Sequence, residues 1–308
     1  MATIRYTTGA DYDEEDSETY VEGYPIHLSA TTIYLGPESV IPNLDSDSSN
    51  LHILVIQEGG LPFPSFPSEF TDASAGYFYD FSETDAQSFL TGGVFGDVIR
   101  TGWGNDTLRG GGGSDALYGM EGDDRFVVTS TPVKVEGGNG KDILFIDTDS
   151  GVELNDGNFD GIELIHVRSG SSLNMSGVSS GMTINSASTV DNSATIIGTS
   201  GADRIVAGKG SDTILGGAGN DKLFAGGGSN LFVFPEGNGR DNIYKFDILK
   251  DHFAFGGDVS AFTDLKIGST SGGDAVITVI GDTDPSNKII VHDVLPTSLT
   301  ADHFMFGG

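Results

Sequence analysis

The chain has 308 residues and no cysteine, which excludes a disulfide framework and thiol chemistry. Its 45 Asp and Glu against 15 Lys and Arg give a formal charge of −30, which repels nucleic acid and anionic membranes and leaves cations as natural partners. Glycine, at 46 residues, is about twice its usual share of ~7%, and this favours an elongated repeat stack over one or two ordinary domains.

Residues 1–20 hold an acidic run from Asp11 to Glu18, broken only by Tyr12 and Ser17, which reads as a solvated tail or an extra cation site. The same stretch has neither the apolar centre nor the cleavage pattern of a secretory signal. No apolar run approaches the roughly 18 residues that a membrane helix needs. Across 21–91, β-favouring pieces, TTIYL (31–35) and LHILVI (51–56), alternate with breakers such as GGLPFPSFP (59–67). Residues 1–91 are therefore expected to form a β-rich N-terminal cap with an acidic leader. The aromatic cluster of Phe63, Phe66, Phe70, Tyr77, Phe78, Tyr79 and Phe81 is read as cap core, with a sugar-stacking surface as the alternative.

From residue 92 a nine-residue unit recurs in a fixed frame: GGVFGDVIR (92–100), TGWGNDTLR (101–109), GGGGSDALY (110–118), GMEGDDRFV (119–127), VTSTPVKVE (128–136) and GGNGKDILF (137–145). Position six carries Asp97, Asp106, Asp115, Asp124 and Asp142, and position eight is always apolar. The fifth unit lacks glycine and aspartate but keeps the frame, so it is a degenerate repeat. Residues 146–197 lose the unit yet keep the strand-like pieces GVELN, GIELIHV, GMTINSA and SATIIG, and are expected to form calcium-poor β-helical coils. Within them DGNFDG (156–161) begins like an EF-hand loop but has Val167 where the bidentate glutamate belongs, so it reads as an Asx-type turn. The frame returns at 198–234 as GTSGADRIV, AGKGSDTIL, GGAGNDKLF and AGGGSNLFV, with Asp203, Asp212, Asp221 and Asn230 at position six. Residues 235–308 supply alternating pieces such as DAVITVI (274–280) and KIIVHDV (288–294), a β-rich closing segment.

Glycine permits left-handed backbone without a Cβ penalty, so the first half of each unit can curl tightly; the x-U-x half is a short strand with one inward side chain. Two units then close one coil, and equivalent turns lie eighteen residues apart. Asp97 stacks on Asp115, and Asp106, Asp124 and Asp142 form a ladder on the opposite edge. Ser88 is taken as the position preceding Asp97, and Val133 follows Asp115 without a carboxylate.

These arrays resemble the RTX, or haemolysin-type, calcium-binding nonapeptide repeat, a repeat of parallel β-helices. The resemblance implies an all-β fold, a parallel β-roll or β-helix solenoid with two calcium-binding arrays and β-rich caps, and several bound calcium ions. It implies as metal-site residues Asp97, Asp106, Asp115, Asp124, Asp142, Asp203, Asp212, Asp221 and Asn230. The turn glycines Gly102, Gly104, Gly111, Gly113, Gly138, Gly140, Gly208, Gly210, Gly217 and Gly219 complete the set. It further implies export from a Gram-negative bacterium through a type I secretion channel that reads an uncleaved C-terminal signal, placed in 235–308.

No catalytic residue is assigned. The six histidines are scattered without an HExxH pair, no GxSxG elbow occurs, and Ser114 has no evident base partner. The expected function is a secreted calcium-binding protein that folds outside the cell and serves as a non-catalytic surface, matrix or adhesion element. Its partners are calcium, the secretion channel, and either a cell-surface glycan or further copies of itself; nucleic acid and a membrane span are not expected. The alternative is a polysaccharide-acting enzyme or glycan-binding module on the same solenoid.

Overall fold

Each nonapeptide ends in a three-residue strand because its second half offers one apolar side chain, and the thin interior of a two-strand coil admits one. Ile99, Leu108, Leu117, Phe126 and Val135 are fully buried, whereas the strand residues on either side of each are mostly half-buried or exposed. The computed structural model describes residues 4–7, 32–35, 52–56, 78–80, 87–235 and 238–307, the first four stretches as backbone only. The acidic leader lies outside the described residues, as does the aromatic cluster apart from the backbone of Phe78 and Tyr79. The chain divides into two compact units, Met1–Leu144 with Asn158–Ile162, and Phe145–Gly157 with Glu163–Gly308.

The first unit is a parallel β-solenoid. One stack runs Phe78–Asp80, Val98–Arg100, Ala116–Tyr118, Lys134–Glu136 and Phe159–Asp160, all parallel. His52–Ile56 and Thr32–Leu35 extend it in parallel, and Ile4–Thr7 ends it antiparallel. The facing stack holds Phe89–Thr91, Thr107–Arg109 and Arg125–Val128. Ile99 sits over Leu117 and Leu108 over Phe126, so the interior is a column of in-register apolar rungs.

Close stacking of the turns leaves no room for side chains at several glycines. Gly138 has φ +101, and a Cβ there would stand less than 3.0 Å from the carbonyl oxygen of Met120 in the preceding coil. Gly138→Ala combines that clash with left-handed strain, and a loss of at least about 1–3 kcal/mol is expected. Denaturant titration in calcium would measure it; an unchanged midpoint would contradict the turn packing.

The second unit is likewise a parallel solenoid of two stacks. One runs Leu164–Arg168, Thr183–Ala187, Arg204–Val206, Lys222–Phe224, Arg240–Tyr244 and Lys288–Val291. The other runs Gly151–Asn155, Ser172–Gly177, Thr195–Ile197, Thr213–Leu215, Leu231–Phe234, His252–Phe255 and Phe304–Phe306. Ser172–Gly177 is a strand that the sequence reading did not anticipate. Its Ser and Asn side chains resemble a loop, yet Leu173 and Met175 alternate inward and are fully buried. Early coils of this unit are longer than eighteen residues: turn contacts span 23 residues from Thr148 to Ser171 and 21 from Met182 to Asp203, against 18 from Ala194 to Asp212. Asn155 Oδ1 accepts the Gly157 N–H at 2.8 Å, an Asx turn at the start of the EF-hand-like stretch.

The closing segment continues both stacks before ending one of them. Lys288–Val291 pairs antiparallel with Ala275–Val279, which pairs antiparallel with Leu265–Ser269. Aromatic rings fill the last coils: Phe253 stacks on Phe246 at 4.7 Å and on Phe304 at 5.1 Å between ring centres. Among the described residues no helix is long and apolar enough to cross a membrane.

Candidate metal centres

The position-six aspartates point into the coils. In the first unit Asp97, Asp106, Asp115, Asp124 and Asp142 are each at most 2% exposed, and in the second Asp203, Asp212, Asp221 and Asn230 are at most 3% exposed. Burial of so many carboxylates requires partners, and from Asp106 onward the Oδ1 atoms find one in an N–H of the coil before. Asp115 accepts from Asp97 at 2.9 Å, Asp124 from Asp106 at 2.7 Å, and Asp142 from Asp124 at 2.8 Å, all eighteen residues apart. Asp221 accepts from Asp203 at 2.8 Å, and Asn230 from Asp212 at 3.0 Å. The pairings of Asp97 with Asp115 and of Asp106 with Asp124 and Asp142 are thus those of the two-units-per-coil reading. Ser88 is a correction: its N–H reaches Asp106 Oδ1 at 2.6 Å, so it precedes Asp106 and not Asp97. Nine residues is half a coil, and the opposite edge.

The second carboxylate oxygen faces the turn. In Asp97, Asp203 and Asp212 it accepts the N–H of position two in its own unit, from Gly93, Thr199 and Gly208. In Asp106, Asp124 and Asp221 Oδ2 is buried with no hydrogen-bond partner. Beside it lies the Cα of the glycine at position one. A Cβ on Gly92, Gly119 or Gly198 would come within 3.0 Å of two oxygens at once. These are Oδ2 of the unit's own aspartate (Asp97, Asp124, Asp203) and the carbonyl oxygen of the next coil's Gly110, Gly137 or Gly216. At Asp124 the two acceptors converge with no donor on the carboxylate oxygen, whereas at Asp97 and Asp203 the same oxygen also takes the turn N–H; a hard cation that takes carboxylate and carbonyl oxygens fits that chemistry. Among the described residues no three His, Cys, Asp or Glu side chains gather around a point.

Rungs without this arrangement carry their own donors. In the degenerate fifth unit Thr129 Oγ1 donates to the Gly111 carbonyl and Ser130 Oγ to that of Gly113. Thr101 Oγ1 donates to the Gly119 carbonyl at 3.1 Å, and Ser188 Oγ to Asp212 Oδ2 at 2.7 Å. Asn230 turns its amide nitrogen to the carbonyls of Ala225 at 2.6 Å and Gly227 at 3.1 Å, so a side-chain donor stands where other rungs present a bare oxygen.

The glycines named from sequence shape the turns. Gly111, Gly113, Gly138, Gly140, Gly217 and Gly219 have positive φ; Gly102, Gly104, Gly208 and Gly210 do not. The carbonyl of Gly102 is taken by the Glu121 N–H at 3.1 Å and that of Gly208 by the Gly227 N–H at 2.7 Å, in a ladder between turns. Carbonyls beside the carboxylates belong instead to position one, which the sequence reading passed over although glycine recurs there. It also missed two rungs. Asp241 Oδ1 accepts the Asp221 N–H at 3.0 Å across 20 residues, and Asp251 Oδ1 accepts the Asn230 N–H at 2.8 Å across 21. Both are 1% exposed, and the longer intervals hid them from a strict nine-residue frame.

Burial in this low-dielectric interior pushes the carboxyls up from 3.8: Asp115 to about 6, Asp124 and Asp221 to about 7, and Asp241 to about 8, with Asp106, Asp203 and Asp251 also raised. Neighbouring carboxylates add to the rise at Asp124, Asp221 and Asp241. A raised folded pKa means that folding without metal takes up protons. The stability these groups contribute is fully present below about 4 and is lost as pH rises through about 6 to 8. In chelator the melting temperature should therefore fall steadily from about pH 5 to pH 8, and a flat profile would contradict the buried ladder.

The family described as RTX calcium-binding nonapeptide repeat (4 copies) matches residues 91–126, 118–150 and 197–232. No curated protein sequence matches the chain. Among solved structures the chain is similar to the extracellular lipase LipA from Serratia marcescens, with 15% identity and a TM-score of 0.32, over 86% of this chain and 44% of the lipase. It is also similar to the AlgE6R3 subunit of the Azotobacter vinelandii mannuronan C5-epimerase, with 22% identity and a TM-score of 0.30, over 46% of this chain and 78% of that subunit. The chain thus spans less than half the length of the lipase.

Proposed function

We propose that this chain, which carries RTX calcium-binding nonapeptide repeats, is a secreted protein of a Gram-negative bacterium. It folds on calcium outside the cell and serves there as a non-catalytic surface, matrix or adhesion element. The observation that supports this reading is the buried Asp124 Oδ2, which has no hydrogen-bond partner and faces the Gly137 carbonyl within a ladder of equally buried carboxylates. Asp97, Asp106, Asp115, Asp124, Asp142, Asp203, Asp212 and Asp221 would hold calcium together with backbone carbonyls of the glycine turns, and at Asp124 the ion would supply the positive charge that the unpartnered Oδ2 lacks. Asn230 closes its own turn through its amide and contributes a neutral rung. Extracellular-type sites bind at about 0.1–1 mM, so the chain stays loose in a calcium-poor cytosol and passes a type I channel before folding. In a Gram-negative host the full chain should reach a calcium-containing medium, protease-resistant, only when a type I exporter is co-expressed. Exporter-independent release, or folded retention inside the cell, would overturn the reading.

A further inference from the structure

Acid outnumbers base three to one in this chain, yet one sheet face of the second unit reverses the balance. The six parallel strands of its first stack read LIHVR, TINSA, RIV, KLF, RDNIY and KIIV, and their only carboxylate, Asp241, is buried inside. Arg168 is held by Asp147 and Asp149 at 2.7 and 3.0 Å. Arg204, Lys222, Arg240 and Lys288 have no carboxylate within ion-pair distance among the described residues. Arg204 lies beside Lys222 and Arg240 beside Lys288 on neighbouring strands, about 4.8 Å apart; Lys222 pairs with Asn242, so the second pair is set two residues along the strands from the first, and the four step across four successive strands.

The same face is ordered. The Arg204 guanidinium lies 4.4 Å over the Phe224 ring, Phe224 stacks on Tyr244 at 4.8 Å, and Tyr244 stacks on His292 at 4.3 Å. His292 occupies Asp274 at 3.2 Å, so the carboxylate at the edge of the face is already engaged. Asn242, in register with Lys222, and Thr183, on the strand before Arg204, place neutral hydrogen-bonding groups beside the cations. Groups fixed in this way lose little entropy when a ligand binds.

We infer that this face binds a linear carboxylate-bearing polysaccharide, a polyuronate, along the stacking direction. Two cation pairs stepped across successive strands match carboxylates carried one per sugar, and the amide and hydroxyl groups beside them match sugar hydroxyls. A polyphosphate fits less well, because the remainder of a chain of net charge −30 repels a denser anion. The inference rests on the calcium-folded state proposed above.

The test titrates calorimetrically the full chain, in calcium and at low salt, with short oligogalacturonate. Saturable binding is expected, weakened at least about tenfold by the pair Arg204→Glu and Lys222→Glu, weakened less by Arg204→Gln with Lys222→Gln, and unchanged by Lys141→Glu in the first unit. Circular dichroism of each sample separates the two readings. A protein that keeps its calcium-dependent β spectrum but does not bind, or binds an uncharged oligosaccharide or polyphosphate equally well, overturns the inference and leaves the calcium reading standing. A spectrum indifferent to calcium strikes the calcium reading instead.

Discussion

In excess chelator at about pH 8, above the raised carboxyl range, the chain is expected to lose its β-type circular dichroism and its cooperative melt, and to regain both when calcium is returned. The ladder makes the effect large. Asp106, Asp124 and Asp142 sit in successive coils, each fully inside the protein, as do Asp203, Asp221 and Asp241. Even after relaxation, an ionised buried group costs several kcal/mol, so a handful of them offsets the whole net stability of roughly 5–15 kcal/mol that a folded protein retains. Ions bound only to the folded state reverse that balance by mass action. A spectrum and melt unchanged by chelator at that pH would contradict this account.

Asp124→Ala should remove two calcium ions per chain, and Asp97→Ala one. Asp124 is the middle rung of its edge: its Oδ1 receives the Asp106 N–H, its own N–H reaches Asp142 Oδ1, and its Oδ2 has no donor. Asp97 is followed by Asp115 on one side, and its Oδ2 already accepts the Gly93 N–H at 2.6 Å. Truncation at Asp124 also leaves the buried Asp106 N–H unsatisfied, a further cost of about 1–3 kcal/mol. Calorimetric titration of the two variants against the parent would give the counts. Equal losses would mean that the rungs do not share ions between coils.

A fixed position six and a fixed apolar position eight made the coil legible from sequence, because the alternation of turn and one-residue core repeats without slippage over 92–145 and 198–234. Where the period changes, legibility fails. Asp241 and Asp251 continue the carboxylate ladders at intervals of 20 and 21 residues, and the strand Ser172–Gly177 carries only two apolar side chains among polar ones. Ser88 was assigned to the wrong edge because a nine-residue step crosses the coil whereas an eighteen-residue step climbs it. The role of Asn230 was hidden for another reason. Asn and Asp share a shape, and only the donors and acceptors around the side chain show that its amide nitrogen meets carbonyls. Position-one glycines were passed over because their contribution is a backbone oxygen in the coil that follows.

Crystals grown in calcium and measured at a wavelength where calcium scatters anomalously would test the central claim most directly. The account predicts difference peaks between the aspartate Oδ2 and the next coil's position-one carbonyl, at Asp97 with Gly110, Asp124 with Gly137, and Asp203 with Gly216, and none at the amide of Asn230. Peaks confined to exposed carboxylates such as Asp156, with the buried cradles empty, would contradict it.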